Sequence, residues 1–305
     1  MFCISKKFLL ITILIATTFL SIFLLTKSNF SYKTSAANKS AFLKLQGGKD
    51  ADRGEYPFMV ALYDKSIFDS VTHNIRNVFF CGGVLIKPKW VLTAAHCLFV
   101  VYVDPRTGKK SLEPSIFASN IGIAINIINL KTDYDDPTVT NKYFMNAAID
   151  PIPHKDYFDF GGTVHIENDI ALIKLNSEVP NTVTPISLAY FATKPKKDFI
   201  FLDTVPLGWG QLSPTSVRIN EKLQEAVLSK VGFNSWRRSW LMSTPLDNPN
   251  TQALRGDSGG PLIYKQNSVN TLLGITHGGE RGDGYNEYVY APDKKTWIDS
   301  TISTN

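Results

Sequence analysis

The hexapeptide Gly256-Asp257-Ser258-Gly259-Gly260-Pro261 restricts this chain more than any other stretch. It sets one hydroxyl among residues without bulk, directly after a carboxylate. Glycines in such a run keep the backbone bare, so that it can turn tightly or lie against other backbone. A nucleophilic serine needs that bareness. A carbonyl must approach it, and backbone N–H groups must face the developing oxyanion. Its hydroxyl is also a weak nucleophile at neutral pH and requires a base within hydrogen-bond reach. The fold therefore has to carry a base to this turn from elsewhere.

Five histidines are available. His73 and His154 sit in polar or Pro-rich stretches and His165 in a loop, where a solvated surface role is the default. His96 stands apart in the apolar segment Thr93-Ala94-Ala95-His96-Cys97, and imidazole titrates near neutrality, as a proton shuttle must. Asp169, in Asn168-Asp169-Ile170-Ala171-Leu172, heads an apolar run in which a carboxylate is costly unless partnered; an imidazole N–H is a suitable partner. These three segments occur in the order His, Asp, Ser, and in that order they resemble the trypsin/chymotrypsin family of serine endopeptidases. Leu45-Gln46-Gly47-Gly48, Tyr56-Pro57, Cys81-Gly82-Gly83, Ile152-Pro153-His154, Gly208-Trp209-Gly210 and Trp297-Ile298 match further landmarks of that family.

The resemblance implies an all-β fold of two six-stranded antiparallel β-barrels with a C-terminal helix and an active site in the cleft between them. It assigns Ser258 as nucleophile, His96 as base, Asp169 as the group that orients the imidazole, and the Gly256 and Ser258 N–H groups as the oxyanion hole. It pairs Cys81 with Cys97. It also implies cleavage after Lys44, freeing the α-amino group of Leu45 to pair with Asp257, so the chain is expected to be a zymogen that needs an activating protease. The rival reading is a catalytically impaired binding protein on the same scaffold, although no triad member or oxyanion glycine is lost.

The specificity segment departs from the family. Gln252 stands where trypsin-like members carry an aspartate that attracts Arg or Lys, so cleavage after those residues is not expected to be preferred. His277 replaces a serine that normally touches the catalytic aspartate, and is expected to donate a second hydrogen bond to Asp169 or to displace it. Gly278 replaces a tryptophan of the cleft. Gln252, His277, Gly279 and Asn286 are the expected substrate-pocket residues, with Asn286 narrowing the site.

The formal net charge of +5 belongs to the N-terminus: residues 1–44 hold six lysines and no acid, which leaves −1 for the remainder. No electrostatic case for a nucleic-acid partner survives that division. Lys6-Lys7 precede an uncharged apolar run, Phe8 to Leu25, followed by Ser35-Ala36-Ala37. Residues 1–37 thus read as a cleaved signal peptide, with a membrane anchor as the second reading; either exports the domain. Membrane contact is expected only if that anchor is retained. Residues 38–44 form the activation propeptide and 45–305 the peptidase domain, acting on protein or peptide substrates. No cofactor is implied, and no Cys/His spacing suggests a metal.

Short apolar runs, Phe58–Tyr63, Val78–Ile86, Trp90–Thr93 and Ile170–Leu175, are separated by Gly, Pro, Asn and Asp and read as antiparallel strands. Tyr102–Pro114 and Lys131–Phe144 are expected to be surface insertions. Asp133, Asp135 and Asp136 read as a solvated acidic loop rather than a calcium site. Trp236-Arg237-Arg238-Ser239-Trp240 fits either an exosite or a partly buried helix face. Ile298 and Ile302, with Trp297, predict a docked C-terminal helix.

Overall fold

The computed structural model describes residues 48–234, 240–244, 251–267, 269–279 and 285–305. The leader, the propeptide with Lys44, the new N-terminus Leu45 and residues 236–239 lie outside the described residues. In chain order the first ten strands are β1 (Lys49–Asp50), β2 (Met59–Asp64), β3 (Phe79–Lys87), β4 (Trp90–Thr93), β5 (Phe99–Val103), β6 (Lys110–Pro114), β7 (Ile121–Ile125), β8 (Tyr143–Asn146), β9 (Ile152–Pro153) and β10 (Ala171–Lys174). Then follow β11 (Ile200–Phe201), β12 (Val205–Gly208), β13 (Gln224–Glu225), β14 (Val231–Phe233), β15 (Trp240–Ser243), β16 (Pro261–Gln266), β17 (Val269–Gly278) and β18 (Asn286–Tyr290). Helix α1 (Lys295–Thr304) closes the chain.

Among the described residues, sixteen strands form two antiparallel sheets, ordered β8-β7-β2-β3-β4-β10-β9 and β1-β13-β12-β16-β17-β18-β15-β14-β11, and β5 pairs with β6 apart from both. The all-β, two-barrel class holds. Each sheet has more than the six strands expected, because two-residue ladders such as β9 on β10 and β1 on β13 lengthen its edges. Residues 59–63 of β2 and all of β4 are buried, so these central strands read as continuous apolar runs rather than alternating ones. Between the sheets, Trp209 is fully buried, meets Phe79 edge-on at 5.7 Å and donates its Nε1–H to Ile128 O at 2.9 Å.

Three expectations change. Tyr102–Pro114 is no plain loop: β5 and β6 pair as an antiparallel hairpin from Phe99 to Pro114, and the β-branched, aromatic run Phe99–Val103 was the available signal. Asp133 is not solvated: it is 1% exposed and accepts from Arg53 Nη1 and Nη2 (3.1 and 2.8 Å) and from the Ile128 and Asn129 N–H groups (2.7 and 3.0 Å). His154 is buried against Trp297 of α1, with ring centroids 4.9 Å apart, and burial pulls its pKa down to about 4. It is thus a neutral packing residue where the Pro-rich context suggested surface. The helix docks as expected through Ile298, which is 2% exposed.

Candidate active site

Strand register explains how residues 73 positions apart meet. β4 pairs with β10 so that Thr93 faces Ala171. His96 lies in the single 3₁₀ turn Ala95–Cys97 just beyond Thr93, and Asp169 lies just before Ala171, at the same end of the two strands. The Cys81–Cys97 disulfide closes a 16-residue separation and ties this turn to β3. Such a closure contributes about 3 kcal/mol of stability by the loop-entropy argument.

Asp169 is completely buried and grips His96 twice: Oδ1 accepts its backbone N–H at 2.8 Å and Oδ2 accepts Nδ1–H at 2.6 Å. Burial alone would raise the carboxyl pKa. Hydrogen bonds from His277 and His96 outweigh it and hold the group well below the usual carboxylate range. On His96, desolvation opposes the charge, but the hydrogen bond and charge of Asp169 prevail and raise the imidazole above its ordinary value.

His277 takes the first of its two predicted alternatives. A β-bulge in β17 leaves it without an opposite residue on β18, between the pairs Thr276–Tyr288 and Gly278–Glu287. Bulges re-aim side chains, and here Nδ1 reaches Asp169 Oδ2 while the ring lies edge-on to His96 at 5.2 Å and to Trp240 at 4.9 Å. Two imidazoles donating to one carboxylate must both carry Nδ1–H, which leaves Nε2 of a neutral His96 as an acceptor.

Ser258 is beside this pair, but its hydroxyl donates to the His277 carbonyl at 3.2 Å, and no hydrogen bond joins it to His96. The turn is held from several sides. Gly82 N–H donates to Ser258 O at 2.8 Å, Gly259 N–H to Thr276 O at 2.8 Å and Gly260 N–H to Asp257 O at 3.1 Å. The N–H groups of Gly256 and Ser258 have no acceptor among the described residues and remain available for an oxyanion. Gly256 has φ +101°, a conformation in which a side chain would be strained. Asp257 is fully buried, accepts from Gly210 N–H (2.7 Å) and Leu254 N–H (2.9 Å), and is pushed up to about 6 by burial.

A cavity of about 250 Å³ opens next to Ser258, and Gln252, His277 and Gly279 line it. Asn286 does not. It is 1% exposed and braces the wall from behind, with Oδ1 on Ala253 N–H and Nδ2 donating to Ser243 Oγ (2.8 Å) and Thr251 O (2.9 Å). Its place on β18, opposite Ser243 of β15, is set by strand register and not by any local motif. Gln211, Pro214 and Arg255 also line the cavity and were missed. The first two follow the Gly208-Trp209-Gly210 landmark, which was the available signal.

The Trypsin family model matches residues 45–298. The chain is 30% identical over 247 residues to the serine protease SSP1 of Scolopendra subspinipes, covering 76% of this chain and 72% of that protein. It is 27% identical over 272 residues to the serine protease SP24D of Anopheles gambiae, covering 85% and 81%. Over 281 residues it is 27% identical to the urokinase-type plasminogen activator of Gallus gallus, covering 87% of this chain but 58% of that relative's length.

Proposed function

Because this chain belongs to the trypsin family of serine endopeptidases, we propose that it hydrolyses peptide bonds through an acyl-enzyme formed on Ser258. His96 takes the Ser258 proton at Nε2 and returns it to the leaving amine. Asp169 fixes the Nδ1–H tautomer and stabilises the imidazolium. Gly256 and Ser258 N–H groups hold the oxyanion. The observation carrying this reading is the double grip of buried Asp169 on His96, which commits the imidazole to the base's tautomer. Ser258 Oγ must rotate from the His277 carbonyl to Nε2, a tightening ordinary for sites without substrate. A fluorophosphonate probe tests the reading: the processed chain is expected to react and Ser258→Ala is not. No reaction of the processed chain would favour the binding-protein alternative.

Catalysis requires neutral His96. Since its folded pKa is raised from 6.5, kcat/KM is expected to fall as pH drops through an ionisation above that value. Asp169→Asn removes the raising partner and should move the ionisation down. A pH–rate profile with an unmoved midpoint in the variant would refute the coupling.

We further propose that the chain is exported and is activated by cleavage after Lys44. Asp257 supports this. Its folded pKa of about 6 exceeds the ordinary 3.8, so its ionisation costs stability as pH rises from about 4, in full above about 6. The cost is about 3 kcal/mol. The α-ammonium of Leu45 would reverse that sign, making the pair a switch for the Gly256 turn. A chain retaining residues 38–44 is expected to be nearly inactive until a lysine-specific protease cuts it; equal activity before and after cutting would refute the switch. With Gln252 in the cavity and no carboxylate among its described lining residues, peptide-library profiling should show no Arg/Lys preference before the scissile bond.

A further inference from the structure

A second hollow, about 940 Å³, lies on the other side of the Ser258 turn. Gln211 and Arg255 line both cavities, Ser258 lines the smaller and Gly256 the larger. The two therefore share a wall at Gln211 and Arg255, beside the turn that carries the Gly256 and Ser258 N–H groups. If the residue on the acyl side fills the smaller cavity, the peptide beyond the scissile bond has to run over Gly256 into the larger one. Phe79 and Phe80 give that hollow apolar surface, and the adjoining Cys81 is tethered through its disulfide to the backbone of His96.

Its charge is one-sided. Arg76, Lys131, Arg218 and Arg255 face a single carboxylate, Glu221. Arg76 is already occupied: Nη1 donates to Glu221 at 2.9 Å, and Nε and Nη2 donate to Ile219 O at 3.2 and 2.7 Å. Lys131, Arg218 and Arg255 are exposed and have no carboxylate partner among the described residues. The chain beyond residue 44 carries a formal net charge of −1, so this is a local concentration of cations and not a spill-over from a basic protein.

We propose that this hollow binds the leaving-group side of a peptide substrate and selects acidic residues there, a specificity that rests on the hydrolase reading above. An extended peptide advances roughly 3.3 Å per residue, so the two to four positions after the scissile bond reach the three unpaired cations. Several part-exposed ion contacts, each worth a few-fold, multiply to a preference of about tenfold at low salt. Screening should erase most of it near 1 M salt.

The test uses the processed chain carrying Ser258→Ala and two fluorescent peptides, identical on the acyl side and ending in Glu-Asp-Glu or Gln-Asn-Gln. Anisotropy is expected to show the acidic peptide binding about tenfold tighter at low salt. Lys131→Glu with Arg218→Glu should reverse the order of the two peptides. Equal affinities for the two peptides, or an equal gain when the acidic triplet is moved to the acyl side, would overturn the proposal. Cleavage of the neutral peptide by the chain with Ser258 intact reports separately on the hydrolase reading. Cleavage without acidic preference sinks this proposal alone. Acidic binding with no cleavage of either peptide sinks the hydrolase reading and the leaving-side assignment with it.

Discussion

Ser258→Ala is expected to lower kcat/KM of the activated chain by on the order of 10⁶. The loss is large because nucleophile and base act as a unit: without Oγ there is nothing for His96 to deprotonate and no acyl-enzyme to form. Asp169→Asn should cost less, about 10⁴, the magnitude known for this family's triad. Its amide would present an N–H where His96 needs an acceptor, flipping the imidazole to the wrong tautomer. Here the substitution strikes two rings at once, since His277 donates to the same Oδ2 as His96. Steady-state kinetics on one peptide, with circular dichroism to show both variants folded, checks the pair. A Ser258→Ala chain within tenfold of the parent would remove the serine from the mechanism.

Gly259→Ala should be strongly destabilising for a single added methyl, by roughly 2–5 kcal/mol. Gly259 sits at φ +78°, where an L side chain costs about 1–2 kcal/mol. Its new Cβ would also collide with Thr93 Oγ1 and Gly82 O. Those atoms are already joined, Thr93 Oγ1 donating to Gly82 O at 2.8 Å, and both belong to buried strands that cannot retreat. Forcing them apart adds about 1–3 kcal/mol. Gly54→Ala is the control: φ is +81° but nothing lies within 4 Å of the added Cβ, so only the conformational part remains. Denaturant midpoints for the two variants should differ widely. Similar midpoints would mean that the β3–β4 backbone yields, and that the contact at Gly259 does not hold the serine turn in place.

Both predictions concern groups visible in the linear chain, and much of the rest was visible too. The strands Trp90–Thr93 and Ala171–Lys174 could be read because central strands buried on both faces are continuous apolar runs. The β5–β6 hairpin was legible only by half: Phe99–Val103 is a β-branched and aromatic run, whereas Lys110–Pro114 carries charge and proline and takes its place through backbone pairing. His154 and Asp133 were misread for a related reason. Polar neighbours in sequence suggest solvent, whereas Trp297 covers one and Arg53 the other from 143 and 80 positions away.

The residues alone determined which chemistry is available: a bare-backbone serine, an imidazole in an apolar turn, a carboxylate that needs a partner, and a family pattern joining them. They also settled that no acidic residue stands at position 252. Tertiary structure decided how those groups share their partners. A bulge in β17, set by strand register and not by any local motif, turns His277 onto Asp169. The same kind of long-range pairing moves Asn286 behind the cavity wall and gathers the cations of the 940 Å³ hollow from separate loops. Composition limits what a side chain can do; only the closing of distant backbone onto backbone fixes which neighbour it does it with.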